Sequence, residues 1–182
     1  ALQLHGGTGF TTEQGVEQYV RDVRIALIYE GTNGIQALDL VGRKLAANGG
    51  RAIFTFFAEM DDFIGAHEGD EDMKPFVEGL TKAKAELQEA TTWLMQNGMS
   101  DFNNAGAAST DFLNLFGLTA LGFMWAKMAK TALEKRGDDP FYDDKLITGR
   151  YYISRILPET TSHLAKLKTG AEPLMALGAD RF

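Results

Sequence analysis

The sequence predicts an all-α protein, an up-down helical bundle, and three observations support this prediction. Nearly everything after residue 12 repeats apolar side chains at steps of three and four residues, which is the period of an amphipathic helix. No region alternates apolar and polar residues cleanly enough for a β-strand. Glycine, asparagine and proline interrupt the periodic segments, so we expect long helices joined by short loops.

Two helices are predicted near the beginning of the chain, over residues 13–27 and 33–48. The apolar side of the first comprises Val16, Tyr19, Val20 and Val23. The apolar side of the second comprises Ile35, Leu38, Val41 and Leu45. The run Asn48-Gly49-Gly50 ends the second helix, because asparagine and glycine readily adopt the left-handed conformation found after a helix.

The next two helices are predicted over residues 51–67 and 74–97. Between them, the stretch from His67 to Asp72 is acidic and contains glycine, which predicts a loop. Asn97-Gly98 marks the end of the fourth helix.

Two further long helices are predicted over residues 103–135 and 141–167. Gly117 and Gly122 fall inside the first of these, where each costs about 1 kcal/mol relative to alanine. We expect the close approach of a neighbouring helix to compensate this cost. Pro158 falls inside the second, which predicts a kink or a short interruption at that point.

Composition narrows the function classes. The formal net charge is −7, which argues against a nucleic-acid interface because that would need a basic face. The chain has no cysteine, so disulfides and thiolate zinc sites are excluded, and its three histidines are far apart in sequence. We therefore predict no metal site.

Membrane insertion and secretion are not expected either. The longest apolar stretch, residues 112–126, is interrupted by Asn114 and is shorter than the roughly 20 residues of a membrane span. No charged leader with an apolar core opens the chain. We expect a soluble, cytoplasmic location.

Glu30 is the first candidate for a catalytic residue. It lies in an apolar stretch, near Ile28, Tyr29 and Ile35, and burial there would raise its carboxyl pKa. A new helix is predicted to begin near Thr32, and its free N–H groups would lower the same pKa. A carboxylate between these influences suits a general base, although a lone glutamate at a helix start is more often a solvated residue that compensates the helix dipole.

Two further short motifs suit either structure or ligand binding. The run Gly6-Gly7-Thr8-Gly9 allows close backbone approach to a ligand, but a plain turn is an equal alternative. No strand precedes it, so a dinucleotide-binding fingerprint is weakly supported. Thr32 and Gln36 lie four residues apart at a helix start and share one face, where Thr32 can also act as the helix cap.

Three sequence blocks carry a family resemblance. Residues 3–10, 17–22 and 28–36 read QLHGGTGF, EQYVRD and IYEGTNGIQ, with 27 residues from Gln3 to Glu30. In order and spacing they resemble the carboxy-terminal helical domain of FAD-dependent acyl-CoA dehydrogenases. The rest resembles an extra carboxy-terminal helical region found in a larger subgroup of that family, with residues 150–158 as the best block.

The resemblance implies a division of the chain and of its parent. Residues 1–48 would be the distal part of the catalytic helical domain, and residues 49–182 the additional helical bundle. The chain would be a carboxy-terminal fragment, with the upstream two-thirds of the enzyme missing. Members with the extra region act on unusual short or sulfur-bearing acyl-CoAs, or on long-chain ones, so the substrate stays open.

The resemblance also implies a reaction. Glu30 would be the base that removes an α-proton from the acyl-CoA thioester, while the β-hydrogen leaves as a hydride to FAD and a trans-2-enoyl-CoA forms. Gly31 would lie against the thioester end of the substrate. The implied FAD contacts are Gln3, Gly6, Gly7, Thr32 and Gln36, of which the first three would contact the adenosine-diphosphate part of an FAD held mainly by a neighbouring subunit.

The implied partners follow from that site. They are an acyl-CoA substrate, further copies of the chain in a homo-oligomer (dimer or tetramer), and an electron acceptor such as electron-transferring flavoprotein. Two alternatives stay open, an acyl-CoA oxidase and a helical interaction module without catalysis. The fragment alone is expected to be inactive, with negligible affinity for FAD.

Overall fold

The structure, a computed structural model, describes residues 1–29 and 32–181, and no strand occurs among them. The all-α prediction is therefore confirmed. The chain divides into two compact units, Ala1–Gln36 and Ala37–Phe182. The expected division after residue 48 concerns domains of a larger protein and stays a prediction.

The first unit consists of short helical segments with almost no buried surface. Two 3-10 segments, Leu2–Phe10 and Thr12–Gln14, precede helix α1. Helix α1 spans Val16–Arg24, and a further 3-10 turn, Ile25–Leu27, follows it. The predicted apolar side of α1 is not buried within this unit, because Tyr19, Val20 and Val23 are all exposed. Among the described residues up to Gln36, only Gly9 is buried.

Helix α2 begins just before the boundary between the units, and the remaining helices form the second unit. Their bounds are Asn33–Asp39 for α2, Arg51–His67 for α3, Lys74–Trp93 for α4, Phe102–Glu134 for α5, Pro140–Tyr151 for α6, Glu159–Leu167 for α7 and Glu172–Met175 for α8. A π-helical turn continues α2 over Leu40–Lys44, and another continues α4 over Leu94–Gly98. The predicted helix over residues 51–67 is confirmed as α3.

The predicted helix over residues 141–167 is interrupted, as Pro158 indicated. Helix α6 passes into a π-helical turn over Tyr152–Ile156, and α7 begins only after Pro158. Leu157 N donates to Tyr152 O at 2.9 Å, which closes the wide turn. Proline has no N–H to continue the hydrogen-bond ladder, so it lies where the new helix can start without one.

Side-chain pairs establish the direction of the helices in the second unit. Lys84 on α4 pairs with Asp61 on α3. Thr161 donates to Glu86 at 2.6 Å and Lys168 donates to Glu89 at 2.5 Å. The residue number therefore increases in the same direction along α4 and along α7.

Those contacts make α4 and α7 parallel, whereas short connections make consecutive helices antiparallel. Helices α3, α4, α5 and α6–α7 therefore form an up-down bundle. Its apolar core is formed largely by side chains of α3, α4 and α5, and its largest fully buried members are Met60, Met73, Phe76, Leu80, Leu87, Phe112, Leu115, Phe123 and Leu167.

The sequence determines where the central helices begin. Asp101 precedes α5 and accepts a hydrogen bond from Asn103 N at 2.9 Å. Asp139 precedes α6 and accepts one from Phe141 N at 2.8 Å. Both carboxylates are helix N-caps, which satisfy N–H groups that have no partner inside the helix. Pro140 then occupies the first position of α6, where its missing N–H costs nothing.

The two glycines of α5 have different surroundings. A Cβ at Gly122 would lie 3.1 Å from Leu157 Cδ1, so this glycine does allow the close approach of a neighbouring helix. At Gly117 nothing lies within 4 Å of the same position. The expectation of close packing is therefore confirmed for Gly122. It is wrong for Gly117, because no atom of the described residues lies close enough to contact a Cβ there.

Helix α5 is long and apolar enough to cross a membrane by length and composition alone. This helix also contacts α4, α6 and α7, and its buried residues include Phe112, Leu115, Phe123 and Ala126. Such burial is expected for the central helix of a helical bundle, so its composition is weak support for a membrane span.

Candidate functional site

The glycine-rich segment at the beginning of the chain forms a compact turn with an accessible backbone. Thr8 Oγ1 donates to His5 O at 2.8 Å, and Thr11 N donates to Thr8 O at 3.1 Å. Gly9 is required for this turn, since a Cβ there would lie 2.5 Å from Leu2 O. The segment is 3-10 helical, so the strand, glycine loop and helix of a dinucleotide-binding fingerprint, which the sequence supported only weakly, do not occur among these described residues.

The predicted contacts Gln3, Gly6 and Gly7 are all exposed on this turn. Gly6 has φ 59° and ψ −143°, a conformation that glycine adopts without steric cost. Nothing lies within 4 Å of the position a Cβ would occupy at Gly6 or Gly7. The turn therefore presents open backbone that a ligand can approach closely.

The predicted base Glu30 and the predicted substrate contact Gly31 lie outside the described residues. Their described neighbours bear on the expected environment. Ile28 is 71% exposed, Tyr29 49% and Ile35 58%. These three side chains are therefore largely exposed among the described residues, and the apolar enclosure expected for Glu30 stays a prediction. The role of Glu30 stays a prediction.

Thr32 and Gln36 occupy the beginning of α2, as the sequence predicted. Gln36 N donates to Thr32 O at 3.0 Å, and Ile35 N lies 3.5 Å from Thr32 Oγ1 in a long capping hydrogen bond. Thr32 is exposed and Gln36 is half-buried. Thr32 is therefore a helix cap whose side chain stays accessible, so the capping and ligand-binding interpretations are compatible.

The charged groups of α1 pair within that helix. Arg21 Nε donates to Glu17 Oε2 at 2.5 Å and Nη2 to Oε1 at 3.1 Å, and Glu17 raises the guanidinium pKa of Arg21 above its usual value. The sequence predicted ion pairs for Arg21, Asp22 and Arg24. This prediction is confirmed for Arg21, while no ion pair joins Asp22 or Arg24 to another described residue.

The histidines do not converge on one site. His5 is exposed in the first unit, His67 Nδ1 lies 2.7 Å from Phe63 O, and His163 Nδ1 lies 2.7 Å from Asp111 Oδ1. No group of three or more metal-ligating side chains occurs among residues 1–29 and 32–181.

The contact between Asp111 and His163 was missed from sequence. Lys166 Nζ also approaches Asp111, at 3.3 Å, so the three side chains form a partly buried cluster between α5 and α7. Asp111 lies 52 residues before His163 in the chain, and only the pairing of two helix faces reveals the cluster. The sequence gives one indication of this cluster: Asp111 and His163 each precede an apolar residue of the helical pattern, Phe112 and Leu164.

Two family models match this all-helical chain. The "acyl-CoA dehydrogenase, C-terminal domain" model matches residues 1–45. The "acetyl-CoA dehydrogenase C-terminal like" model matches residues 56–178. The chain belongs to the acyl-CoA dehydrogenase family, and these two models cover most of its length.

Three relatives illustrate the similarity. A 3-methylmercaptopropionyl-CoA dehydrogenase of Ruegeria pomeroyi is 36% identical over 182 residues, covering 96% of this chain and 30% of the relative. The broad-specificity linear acyl-CoA dehydrogenase FadE5 of Mycobacterium tuberculosis is 29% identical, covering 100% of this chain and 32% of the relative. A short-chain specific mitochondrial acyl-CoA dehydrogenase of Rattus norvegicus is 51% identical over 45 residues, covering 25% of this chain and 11% of the relative.

The chain thus spans about a third of the length of the first two relatives. The third relative matches a shorter stretch of this chain at higher identity.

Proposed function

We propose that this chain is the carboxy-terminal helical part of a flavoenzyme that oxidises an acyl-CoA thioester to a trans-2-enoyl-CoA. The observation that carries the proposal is the similarity of the whole chain to relatives named as acyl-CoA dehydrogenases. The family model that covers residues 1–45 also includes every candidate site residue. The reaction is an oxidation of a carbon–carbon single bond, and this class of chemistry is supported by the family.

Glu30 is the proposed base. Its carboxylate accepts the α-proton of the thioester, and the β-hydrogen departs as a hydride in the same oxidation. FAD, when bound, supplies the two-electron chemistry by accepting that hydride. Gly31 leaves room beside Glu30 for the thioester, since glycine has no side chain to fill the space.

The first unit fits an approaching cofactor at two places. The open space at Gly6 and Gly7 suits a ligand that lies against the backbone, and Gln3 is exposed on the same turn. Thr32, which is exposed, can direct its hydroxyl to a ligand while its oxygen caps α2. Gln36 lies one helical turn further on the same face of α2.

Oligomerisation belongs to the same proposal. The apolar side chains Tyr19, Val20 and Val23 are exposed on α1, and burial of such a face against further protein is favourable by about 25 cal/mol per Å². We propose that other parts of a larger polypeptide, or further copies in a dimer or tetramer, cover this face. An electron-transferring flavoprotein is the proposed electron acceptor, and a cytoplasmic location is proposed with it.

The substitution Glu30→Gln in the full-length enzyme tests the proposed base. Glutamine keeps the size of the side chain but accepts no proton, so turnover should fall by about 100-fold or more, while the visible absorbance of bound flavin persists. The measurement is anaerobic bleaching of that absorbance by a series of acyl-CoAs. Glu13→Gln is the matched control, because Glu13 is an exposed carboxylate of the first unit that lies outside the proposed site.

Undiminished bleaching by the Glu30→Gln enzyme would remove Glu30 from the mechanism. If oxygen reoxidises the reduced wild-type flavin as fast as turnover, the enzyme is an acyl-CoA oxidase. Absence of flavin from the purified full-length protein would favour the helical interaction module.

A further inference from the structure

The lysines of the second unit fall into two groups. The chain has ten lysines, and seven lie within 4.0 Å of a carboxylate: Lys44, Lys74, Lys82, Lys84, Lys130, Lys166 and Lys168. In the part of the chain that the structure describes, Lys127, Lys135 and Lys145 have no carboxylate at that distance. All three lie where α5 ends and α6 begins, although they are up to 18 residues apart in the sequence.

Each of these three lysines contacts an aromatic ring instead. Lys127 Nζ lies 4.2 Å from the ring centroid of Phe123, and Lys135 Nζ lies 5.5 Å from that of Tyr142. Lys145 Nζ lies 5.1 Å from the centroid of Phe141. A cation–π contact positions an ammonium group without cancelling its charge. The three contacts therefore hold ammonium groups in one region of the bundle without neutralising them.

A cleft of about 310 Å³ lies between two of these lysines, Lys127 and Lys145. Its walls include the apolar groups of Met128, Ala132, Phe141 and Tyr142, and Lys127 and Lys145 also line it. Phe141 is 55% exposed, so one large ring is available for stacking. The volume is at the lower end of the range for small-molecule sites, which is about 300–1,000 Å³.

Three of the carboxylates near the cleft have partners, and none of the residues lining the cleft is acidic. Asp143 pairs with Arg136 at 3.3 Å, and Glu134 pairs with Lys130 at 3.1 Å. Asp139 caps α6 by accepting from Phe141 N. These carboxylates are therefore engaged elsewhere, and the lysines of the cleft remain available to an anionic ligand.

We propose that the cleft between α5 and α6 binds a planar aromatic anion of the size of a nucleoside monophosphate. The ring would stack on the exposed face of Phe141, with Tyr142 at its edge, and the phosphate would lie near the ammonium groups of Lys127 and Lys145. An extended helical peptide suits the cleft less well, because the connection over residues 135–139 joins its two walls at one end. The site is independent of the proposed dehydrogenase reaction.

Calorimetric titration of the full chain with AMP tests the proposal. Adenosine has the ring without the phosphate, and ribose 5-phosphate has the phosphate without the ring. We expect AMP to bind at least about tenfold more tightly than either, because it alone engages both the Phe141 ring and the lysines. Binding should also weaken as salt is added, since the lysines are close to solvent.

Two double variants locate the binding. Lys127→Gln with Lys145→Gln should weaken AMP binding by about tenfold. Lys130→Gln with Lys168→Gln removes the same charge from lysines that already have carboxylate partners, and should leave AMP binding unchanged. Circular dichroism confirms that both variants are folded.

Three results would overturn the proposal: no AMP binding at millimolar concentration, equal affinity for adenosine, or equal loss in the two double variants. If AMP does not bind, the cleft is a contact site for another protein instead. None of them bears on Glu30, whose test is the bleaching of flavin by acyl-CoA.

Discussion

Tyr152 shows how a single side chain links helix packing to pH. The residue is buried, and its hydroxyl donates to Leu118 O on α5 at 3.0 Å. Burial, followed by the charge of Glu159, raises the pKa of the phenol to about 12. An unperturbed tyrosine has a pKa of about 10, so between these two values the unfolded chain loses a proton that the folded chain retains.

The stability that Tyr152 contributes should therefore be complete below about pH 10 and should decline as the pH rises towards 12. Tyr152→Phe should cost about 0.5–1.5 kcal/mol at neutral pH, through loss of the hydrogen bond. Above about pH 10, the free energy of unfolding of the Tyr152→Phe variant should then fall less steeply with pH than that of the wild type. Urea denaturation at several pH values measures both effects.

Tyr151→Phe is the control for this experiment, because Tyr151 is the adjacent tyrosine and is 59% exposed. The same pH dependence in the wild type and in Tyr152→Phe would contradict the assigned role of the Tyr152 hydroxyl.

The candidate site shows how far residue-level reasoning from sequence extends. The helix cap at Thr32 and the open glycine turn at Gly6 and Gly7 follow from local chemistry, and the structure has both. The burial expected around Glu30 does not follow from local chemistry. A stretch such as Ile28-Tyr29 is buried only when another element covers it, and the sequence of the stretch does not reveal which element does so.

At the scale of helices, the spacing between neighbouring helices depends on where glycine replaces a side chain. A Cβ at Gly149 on α6 would lie 2.9 Å from Phe76 Cε1 and 3.3 Å from Trp125 Cε3. Phe76 is fully buried, so its ring has no room to move. Gly117 on α5 has nothing within 4 Å of the same position.

Alanine at these two positions should therefore have opposite effects. Gly149→Ala should destabilise the protein by about 1–3 kcal/mol through overpacking. Gly117→Ala should stabilise it by about 0.5–1 kcal/mol, because alanine loses less backbone freedom in a helix. Thermal or urea unfolding measures both, and the two variants serve as controls for one another. Equal effects in both would mean that α6 does not lie against Phe76.

The helix bounds show what the 3.6-residue period can predict. Helix α3 was predicted with its observed bounds, because glycines precede it and a polar loop follows it. The π-helical turn over Tyr152–Ile156 was not predicted, since the apolar period at Ile153, Ile156 and Leu157 continues through it. One added residue in a turn changes the hydrogen-bonding pattern of the backbone but leaves the apolar side chains in sequence. Only Pro158 therefore indicated an interruption of the helix.

For the molecule as a whole, burial is very unequally distributed. Helix α1 and helix α7 each span nine residues. None of the residues of α1 is buried, whereas Thr160 and Leu167 of α7 are buried against the bundle. Isolated helices this short are marginal in water, and tertiary packing normally stabilises them.

Hydrogen exchange of the 182-residue chain should therefore separate the two helices. We expect amides of α1 to exchange at least about 100-fold faster than those of α7, because local opening of α1 exposes almost no apolar surface. Mass spectrometry of peptic peptides provides the measurement, with α7 as the matched reference. Comparable protection in the two helices would contradict the unequal burial.

The contacts of α4 with α7 also have a consequence during synthesis. Glu86 and Glu89 meet partners 75 and 79 residues later in the chain. A ribosome must therefore translate through α7 before the last side of the bundle can close. Until then the nascent helices α4 and α5 remain partly uncovered, and such a species is prone to aggregate. We therefore expect protection by a chaperone to matter most in the interval before α7 has been synthesised.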